Sequence, residues 1–578
     1  MVWKYFKQSD DKKLAKCLQC SKEYKTSGNT SNLRDHLKRM HPASDRDNTP
    51  STSSSNRSSY NSIDSYFKRA VEYDSSSKRK KDIDSALTQL VTESFHPFNI
   101  VNDNAFRKFV KVLDTRYVLP SKNTLKNIHI TNLYESRKAI LFDILSNVAN
   151  VAITTDCWSS MNNEAYITVT CQFIDEEYNF RHAVLPTKKL NDITNHTARN
   201  IADSLHDVVM EWSIFNKECC VTTDNASSMT KACELLKLRH LPCVAHTLNL
   251  VVQDGLKEFV LQSLISKCKT IVTFFRSSTT AMEKFKLGQR SERPLKLKQD
   301  VITRWNSTYI MIQRILQTST AISSVLLSTP KAPPTLTADE IQALEEIEKL
   351  LLPFLTITEK CSGNYVTVSL IIPLVNGLYR NMMEQAKSLK SQHGINLCSK
   401  LLEGIKKRLI IYETRTPTRM ATILDPRFKK EAFISENIAN ETSNLLETEI
   451  MHFMGHSHTQ PPSQQEAPEG EDTLFSFLHE RNRNKRLSKR ADSILIKRQY
   501  LERQNAAQNT NPLDYWKLAE EDFLPLKECV LKYLCIPASS VESERMFSKA
   551  ALIVNEKRSQ LKPKNVDMLC FLNKNNWL

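Results

Sequence analysis

Glycine is nearly missing from this chain. Nine glycines serve 578 residues, and no two stand closer than ten positions apart, whereas an average chain is about 7% glycine. A Rossmann fingerprint or a Walker A loop needs glycines clustered within a few residues, so neither can be written here. Enzymes that cradle nucleotides in glycine loops are excluded. Long apolar runs are missing too. No stretch approaches the ~18 residues that a transmembrane helix requires, so no membrane-spanning segment and no membrane partner are expected. The opening Met1-Val2-Trp3-Lys4 lacks the basic-then-apolar texture of a secretory signal. An intracellular, reducing setting is therefore expected, where the 14 cysteines read as metal ligands or core rather than as disulfides. Acid is in short supply against base: 80 Lys and Arg face 64 Asp and Glu, a net of +16. That balance favours a polyanionic partner, nucleic acid first. The 40% apolar fraction supports folded cores, and the length calls for several of them.

Texture changes along the chain mark the divisions. Residues 1–43 form a short basic block. Residues 44–85 are rich in Ser, Thr and Asn and cannot bury enough apolar surface to fold, so a disordered linker is expected. It contains Lys78-Arg79-Lys80-Lys81, a candidate nuclear import patch. Residues 86–147 read as helical, with Phe106, Phe109, Val110 and Leu113 at helix spacing. A strand-type run follows at Val151-Ala152-Ile153. Ile167, Val169, Cys171 and Phe173 then alternate with polar neighbours, the period of a strand. Ile201, Leu205, Val208, Val209 and Trp212 line one face of a helix, and Cys219 to Thr223 is strand-like again. Strand, strand, helix, strand predicts an α/β layer over 148–308. Helices are expected over 309–508, and dense apolar periodicity returns in 509–578.

Cys17-x2-Cys20 with His36 and His41 offers two thiolates and two imidazoles, a closed tetrahedral set for structural Zn²⁺. Leu33, Leu37 and Met40 fall at helical spacing, so His36 sits on a helix. His41 comes five residues later, and the last turn must loosen to bring both rings round. So small a module needs the metal to fold. Trp3 and Phe6 precede the cysteines, and fifteen residues separate Cys20 from His36, more than the twelve of an ordinary finger. Aromatics, C-x2-C, the longer gap and H-x4-H resemble the BED-type zinc finger. The resemblance implies binding to double-stranded DNA, the short helix entering the major groove. Asn32 and Arg34 are then candidate base readers, and Lys38 and Arg39 candidate phosphate contacts.

Two apolar runs end alike, in Thr154-Thr155-Asp156 and in Thr222-Thr223-Asp224. Aspartates at the carboxyl ends of neighbouring strands can share one divalent cation. A strand-end aspartate can equally cap a turn. Near the other end, Pro537 to Arg545 opens a helix in which Ser539 and Glu542 have capping-box spacing. Glu544 falls on the apolar stripe with Phe547 and Ala551, where a carboxylate needs a cation or a partner. Arg545 is one possible partner.

Asp156 in TTDCWSS, Asp224 in TTDNASSM, Cys243-Val244-Ala245-His246, Arg304-Trp305-Asn306-Ser307, NPLDYW from Asn511, IPASSVESERMFS and KRSQL from Lys557 together resemble the hAT transposase superfamily, over essentially the whole chain. The resemblance implies a multidomain α/β plus α protein. A small treble ββα-type zinc finger would precede an RNase H-like core with a large helical insertion and a helical C-terminal dimerisation region. It implies Asp156, Asp224 and Glu544 as an acidic triad for two Mg²⁺ ions, Trp305 beside a flanking base, and Cys243 and His246 in support. Family sequences often have Gly at the place of Ala551 and a small residue at that of Glu542. Neither change touches the triad. The expected function is a zinc-dependent, homodimeric, DNA-binding nuclear protein that regulates transcription. The alternative is a working DDE-type transposase, with Mg²⁺ needed only there.

Overall fold

The computed structural model describes residues 2–9, 13–25, 30–41, 72–159, 165–190, 197–301, 304–456, 489–553 and 562–578. They divide into two compact units, Met1–Glu72 and Tyr73–Leu578.

In the first unit β1 (Phe6–Gln8), β2 (Leu14–Cys17) and β3 (Glu23–Lys25) form an antiparallel sheet, with Phe6 opposite Cys17 and Ala15 opposite Tyr24. Helix α1 (Ser31–Met40) lays Leu33 and Leu37 against Phe6 and Ala15. With Cys17, these five are the buried cluster among the unit's described residues. A module of this size cannot offset its conformational entropy with so little core.

The second unit opens with a departure from expectation. The linker expectation ran to residue 85, and most of that stretch lies outside the described residues. Lys78-Arg79-Lys80-Lys81, however, begins helix α2 (Lys78–Glu93) instead of floating in a linker. Lys80 pairs with the buried Asp84 at 3.2 Å, and Asp84 accepts from the Tyr117 hydroxyl at 2.6 Å. Leu87 and Val91 anchor the helix in the core. Helix α3 (Asn104–Leu113) is capped by Asp103, whose side chain accepts from the Phe106 N–H. Its stripe formed the expected helix, yet it buries none of its residues. Helix α4 (Thr131–Asn147) then leads to the sheet.

The sheet comprises β4 (Val151–Ser159), β5 (Ala165–Ile174), β6 (Phe180–Lys189), β7 (Glu218–Thr223) and β8 (His240–Pro242), in the order β6-β5-β4-β7-β8. β4 to β6 form an antiparallel meander, while β7 and β8 run parallel to β4. Helix α5 (Ala198–Glu211) precedes β7, and α6 (Ser227–Leu235) precedes β8. The polar positions of β5 are buried along with the apolar ones. They bond within β5 and to the neighbouring strands: Thr170 to Thr154 of β4, Thr168 to Thr187 of β6 at 3.3 Å, and the Gln172 amide to Thr170 at 2.8 Å. A buried hydroxyl must find such a partner or cost stability. The sheet is covered on both sides: Val151, Ile153 and Val221 join one apolar core, Ala152, Cys220 and Leu241 the other.

Helices begin at Val244, well before the expected start near Tyr309. They are α7 (Val244–Leu256), α8 (Phe259–Ser277), α9 (Thr279–Gly288), α10 (Trp305–Gln317), α11 (Ser319–Ser328), α12 (Ala338–Cys361), α13 (Ile371–Ala386), α14 (Gln392–Gly404), α15 (Thr416–Leu424), α16 (Glu436–His456) and α17 (Lys489–Glu502). No single helix among the described residues is long and apolar enough to cross a membrane. The last segment carries α18 (Pro512–Lys517), α19 (Leu524–Leu534), α20 (Val541–Ile553) and α21 (Pro563–Lys574).

This segment completes the sheet's core. Val566, Leu569, Cys570 and Leu572 of α21 are buried there. Asp567 accepts from the Thr187 N–H at 2.8 Å and the Tyr134 hydroxyl at 3.3 Å. Beyond α21, the Asn575 side chain accepts from the Val184 N–H at 3.0 Å and donates to its carbonyl at 2.8 Å. A single amide thereby pairs backbone groups on the outer side of the edge strand β6. The Phe547, Ala550 and Ala551 side chains and Val554 lie outside the described residues.

Candidate metal and carboxylate sites

Four ligand atoms converge in the first unit. Those of Cys17, Cys20, His36 and His41 all lie within 4.8 Å of one another. Strand β2 ends at Cys17 and the following turn presents Cys20. His36 projects from α1, and His41 is that helix's C-cap, already out of helical conformation at φ −136°, ψ 57°. The loosened turn is what lets both rings face the thiols. His36 Nε2 stands 3.3 Å from Cys20 Sγ, and His41 Nε2 stands 3.6 Å from Cys17 Sγ. The other His36 nitrogen, Nδ1, bonds the Tyr24 hydroxyl at 2.9 Å. That bond leaves Nε2 as the ligating atom and fixes the ring. Burial first, then the charges of His41 and Lys22, lower the His36 pKa, keeping the imidazole in the neutral form that a metal binds. Two thiols, two imidazoles and a second-layer hydroxyl fit Zn²⁺. Sequence spacing did not reveal the Tyr24 contact. On α1, Asn32, Arg34 and Arg39 are exposed while Leu33 and Leu37 point inward; the Lys38 side chain lies outside the described residues.

The carboxylates meet in the second unit. The β4–β7 register places Thr154 beside Thr222, so Asp156 and Asp224 each fall two residues further on in adjacent central strands. Asp224 follows the last residue of β7 as expected, whereas Asp156 does not close its strand, since β4 continues to Ser159 paired with β5. Asp156 Oδ1 accepts from the Cys157 N–H at 2.8 Å, and Asp224 Oδ1 from the Ala226 N–H at 3.2 Å. Asp224 therefore does cap a turn, and it also faces its neighbours. Helix α20 supplies Glu544. The Ser543 hydroxyl bonds Thr154 at 2.8 Å, and the Ser540 N–H donates to Cys243 Sγ at 3.4 Å. The Pro537 carbonyl accepts from Thr222 at 3.1 Å, and the Ala538 carbonyl from the Val244 N–H at 3.0 Å. These four links clamp the start of α20 onto β4, β7 and α7.

Burial, then the Asp224 and Glu544 charges, push the Asp156 carboxyl up to about 8. Burial also raises Glu544; Arg304 and His246 pull it back, and Asp224 raises it further. Among the described residues only the finger quartet gathers its ligand atoms within 4.8 Å; the three carboxylates are not drawn so close. The cation facing Glu544 is Arg304 rather than Arg545, which is exposed and pairs with Glu542 at 2.8 Å. Glu542 also binds Lys574 at 2.6 Å. The Ser539 hydroxyl donates to the Cys361 carbonyl at 3.0 Å, in place of the expected capping box. Cys243 is buried and joins α7 to α20, while His246 is partly exposed. Trp305 is only 2% exposed, its ring 6.4 Å from Phe354. It forms one wall of a cavity of about 730 Å³ that also contacts His246 and Lys269. Stacking on a base would require the ring to leave that packing.

The chain was compared with known proteins. A BED zinc finger model matches residues 1–42. Models of the ZBED1 RNase-like domain and the ZBED1 RNase-like helical domain match 154–263 and 241–350. The hAT family C-terminal dimerisation region matches 497–576. Human "Zinc finger BED domain-containing protein 4" is 24% identical over 99% of this chain and 51% of its own length. "Putative transcriptional regulator tpeD" of Talaromyces stipitatus is 24% identical over 84% of this chain and 60% of its own. "Putative AC transposase" of Zea mays is 24% identical over 95% and 71%. The chain thus spans about half the length of the first of these relatives. It is a BED zinc-finger protein with a ZBED1-type RNase-like domain and a hAT-family C-terminal dimerisation region, homologous to BED-finger proteins and hAT transposases.

Proposed function

We propose that this chain is a zinc-dependent, DNA-binding regulator of transcription that acts in the nucleus as a homodimer. The observation that carries this reading is the Cys17, Cys20, His36, His41 quartet beneath a helix whose Asn32, Arg34 and Arg39 are exposed. Zn²⁺ held by the quartet supplies the cross-link that the small core lacks. Tyr24 holds His36, and Leu33 and Leu37 seat α1 so that its polar face is free for a major groove. Asn32 and Arg34 lie near the helix N-terminus, where base edges are usually read, and Arg39 suits a phosphate. The +16 balance favours the same partner. A second finger in a dimer would read a second half-site.

The experiment is a duplex-selection and binding assay with the wild type and Cys17→Ser. The variant is expected to lose stoichiometric zinc and at least about a hundredfold in affinity for the selected duplex, falling to the non-specific level. Unaltered binding of that duplex by the zinc-free variant sinks the reading.

The second reading is a Mg²⁺-dependent transposase. It is favoured by one observation: the charges of Asp224 and Glu544 raise the Asp156 carboxyl, and that of Asp224 raises Glu544. When bound there, Mg²⁺ would activate water and stabilise a leaving 3′ oxygen. The chain's own part is to hold Glu544 through the α20 clamp and to balance its charge with Arg304. Nicking of cognate ends is expected to disappear alike in Asp156→Ala, Asp224→Ala and Glu544→Ala; activity that survives all three removes the triad from the reaction.

A further inference from the structure

A cavity of about 520 Å³ opens where the C-terminal end of α4, the β5–β6 turn, α19 and Trp577 meet. Its lining mixes apolar and polar groups: Ile144, Val148, Leu531 and Trp577 are partly exposed and the buried Phe173 backs them, with Asn147 and Asn150 among them. It lies at the end of β4 away from Asp156, since β4 begins at Val151 beside it, so it belongs to neither site described above.

Its rim is acidic in a chain that is basic overall. Asp143, Asp175, Glu176, Glu177 and Glu528 line it, against a single Arg181. That arginine is already committed, with Nε 2.8 Å from Asp175 and the guanidinium 5.4 Å from the Trp577 ring. Asp143, Glu176 and Glu177 are exposed. Glu528 is partly buried, and among the described residues no Lys or Arg pairs with it. Burial alone raises its pKa, with no cation to pull it back, and its charge in turn raises the Tyr178 phenol in the β5–β6 turn. Glu528 is itself one of the residues that line the cavity. A partly buried carboxylate without a cation is held at a cost, and an incoming ammonium or guanidinium would relieve it.

The geometry points to this groove as a docking site for a peptide segment that carries lysine or arginine next to apolar residues. The apolar part of the lining takes the aliphatic side chains, the indole and Leu531 cover them, and Glu528 with the Glu176-Glu177 rim binds the cations. Charge complementarity selects the occupant: a nucleic acid would be repelled by this rim, and an acidic peptide likewise. The reading is independent of whether the finger reads DNA or the triad cuts it.

The test uses the full chain and a fluorescein-labelled peptide of alternating leucine and lysine, with a leucine–glutamate counterpart as control, followed by fluorescence anisotropy. Saturable binding of the basic peptide is expected, weakened roughly tenfold or more by Glu528→Gln and by Glu176→Lys combined with Glu177→Lys. Glu528→Gln removes an unpaired buried charge, so its melting temperature should not fall, which separates lost binding from lost fold. Three outcomes overturn the proposal. One is the absence of saturable binding. Another is equal binding by the variants or of the acidic control. The third is displacement of the peptide by Ca²⁺ at constant ionic strength with Ca²⁺ binding lost in Glu528→Gln, which would make a cation the occupant.

Discussion

The Asp156 carboxyl keeps its proton up to about pH 8 because it is buried beside Asp224 and Glu544. The sign of the consequence follows from proton counting. Between about pH 4, where an unfolded aspartate ionises, and about pH 8, the folded chain holds a proton that the unfolded chain has lost. Stability therefore falls as pH rises through that window. Each pKa unit is worth about 1.4 kcal/mol, so the penalty reaches several kcal/mol once the cluster is forced to ionise. A divalent cation would offset it, and Asp156→Asn should remove most of it. The expected outcome, in zinc-saturated buffer without Mg²⁺, is a wild-type melting temperature that drops from pH 6 to pH 8. The variant should show a markedly flatter profile, and added Mg²⁺ should flatten that of the wild type. Parallel profiles for the two proteins would mean that Asp156 does not sense its neighbours. Residue-level legibility divides here. The repeated Thr-Thr-Asp pattern reveals both aspartates because the parallel register sets Thr154 beside Thr222, although only β7 ends there and β4 runs on to Ser159. The cation that faces Glu544 could not be read, because Arg304 is distant in sequence and Arg545 is adjacent. Helical geometry turns Arg545 outward, to Glu542.

At the level of elements, what the sequence reveals depends on how each element buries itself. β4 is legible from the short apolar run Val151-Ala152-Ile153 and β5 from its alternation. The alternation in β5, however, marks a strand and misstates its environment. Both its faces are covered, and its Thr170 and Thr168 are satisfied by Thr154 of β4 and Thr187 of β6, with Thr154 bonded in turn to Ser543 of α20. β6 hides for a different reason. It holds Pro186, and its register with β5 shifts between Thr168 and Thr170, so its period is broken; proline is tolerated because β6 is an edge strand. Its outer backbone is paired by Asn575, a partner that no local pattern announces. β8 is only three residues long, too short for any period. The finger is the opposite case. Its four ligands are fixed by spacing alone, because a metal demands a set of donors rather than a pattern of burial. Helix α3 is legible as a helix and not as a packed one: spacing shows which side chains share a face, never whether another surface covers it.

For the whole molecule, the dimerisation region raises a question of supply. Apolar periodicity in residues 509–578 offers surface both for a core and for a second subunit. The described residues spend most of it internally: Leu526, Val530 and Leu534 of α19 are fully buried, as are Val566 and Leu572 of α21. Among the large apolar side chains described there, Leu518 remains 85% exposed and Leu524 51% exposed. Among the described residues the α18–α19 corner is therefore the surface that a homodimer made through this region is expected to use, and burying its two leucines would contribute a few kcal/mol. Leu518→Asp combined with Leu524→Asp is expected to shift the chain toward monomer in sedimentation velocity, with the melting temperature of the core unchanged because neither side chain packs inside. The same variant should lose roughly tenfold or more in affinity for a duplex with two half-sites, since the second finger no longer binds at a raised effective concentration. Its affinity for a single half-site should stay as in the wild type. A variant that remains dimeric at micromolar concentration would place the subunit contact elsewhere, with the exposed face of α3, where Phe109 and Leu113 are 59% and 69% exposed, the next surface to substitute.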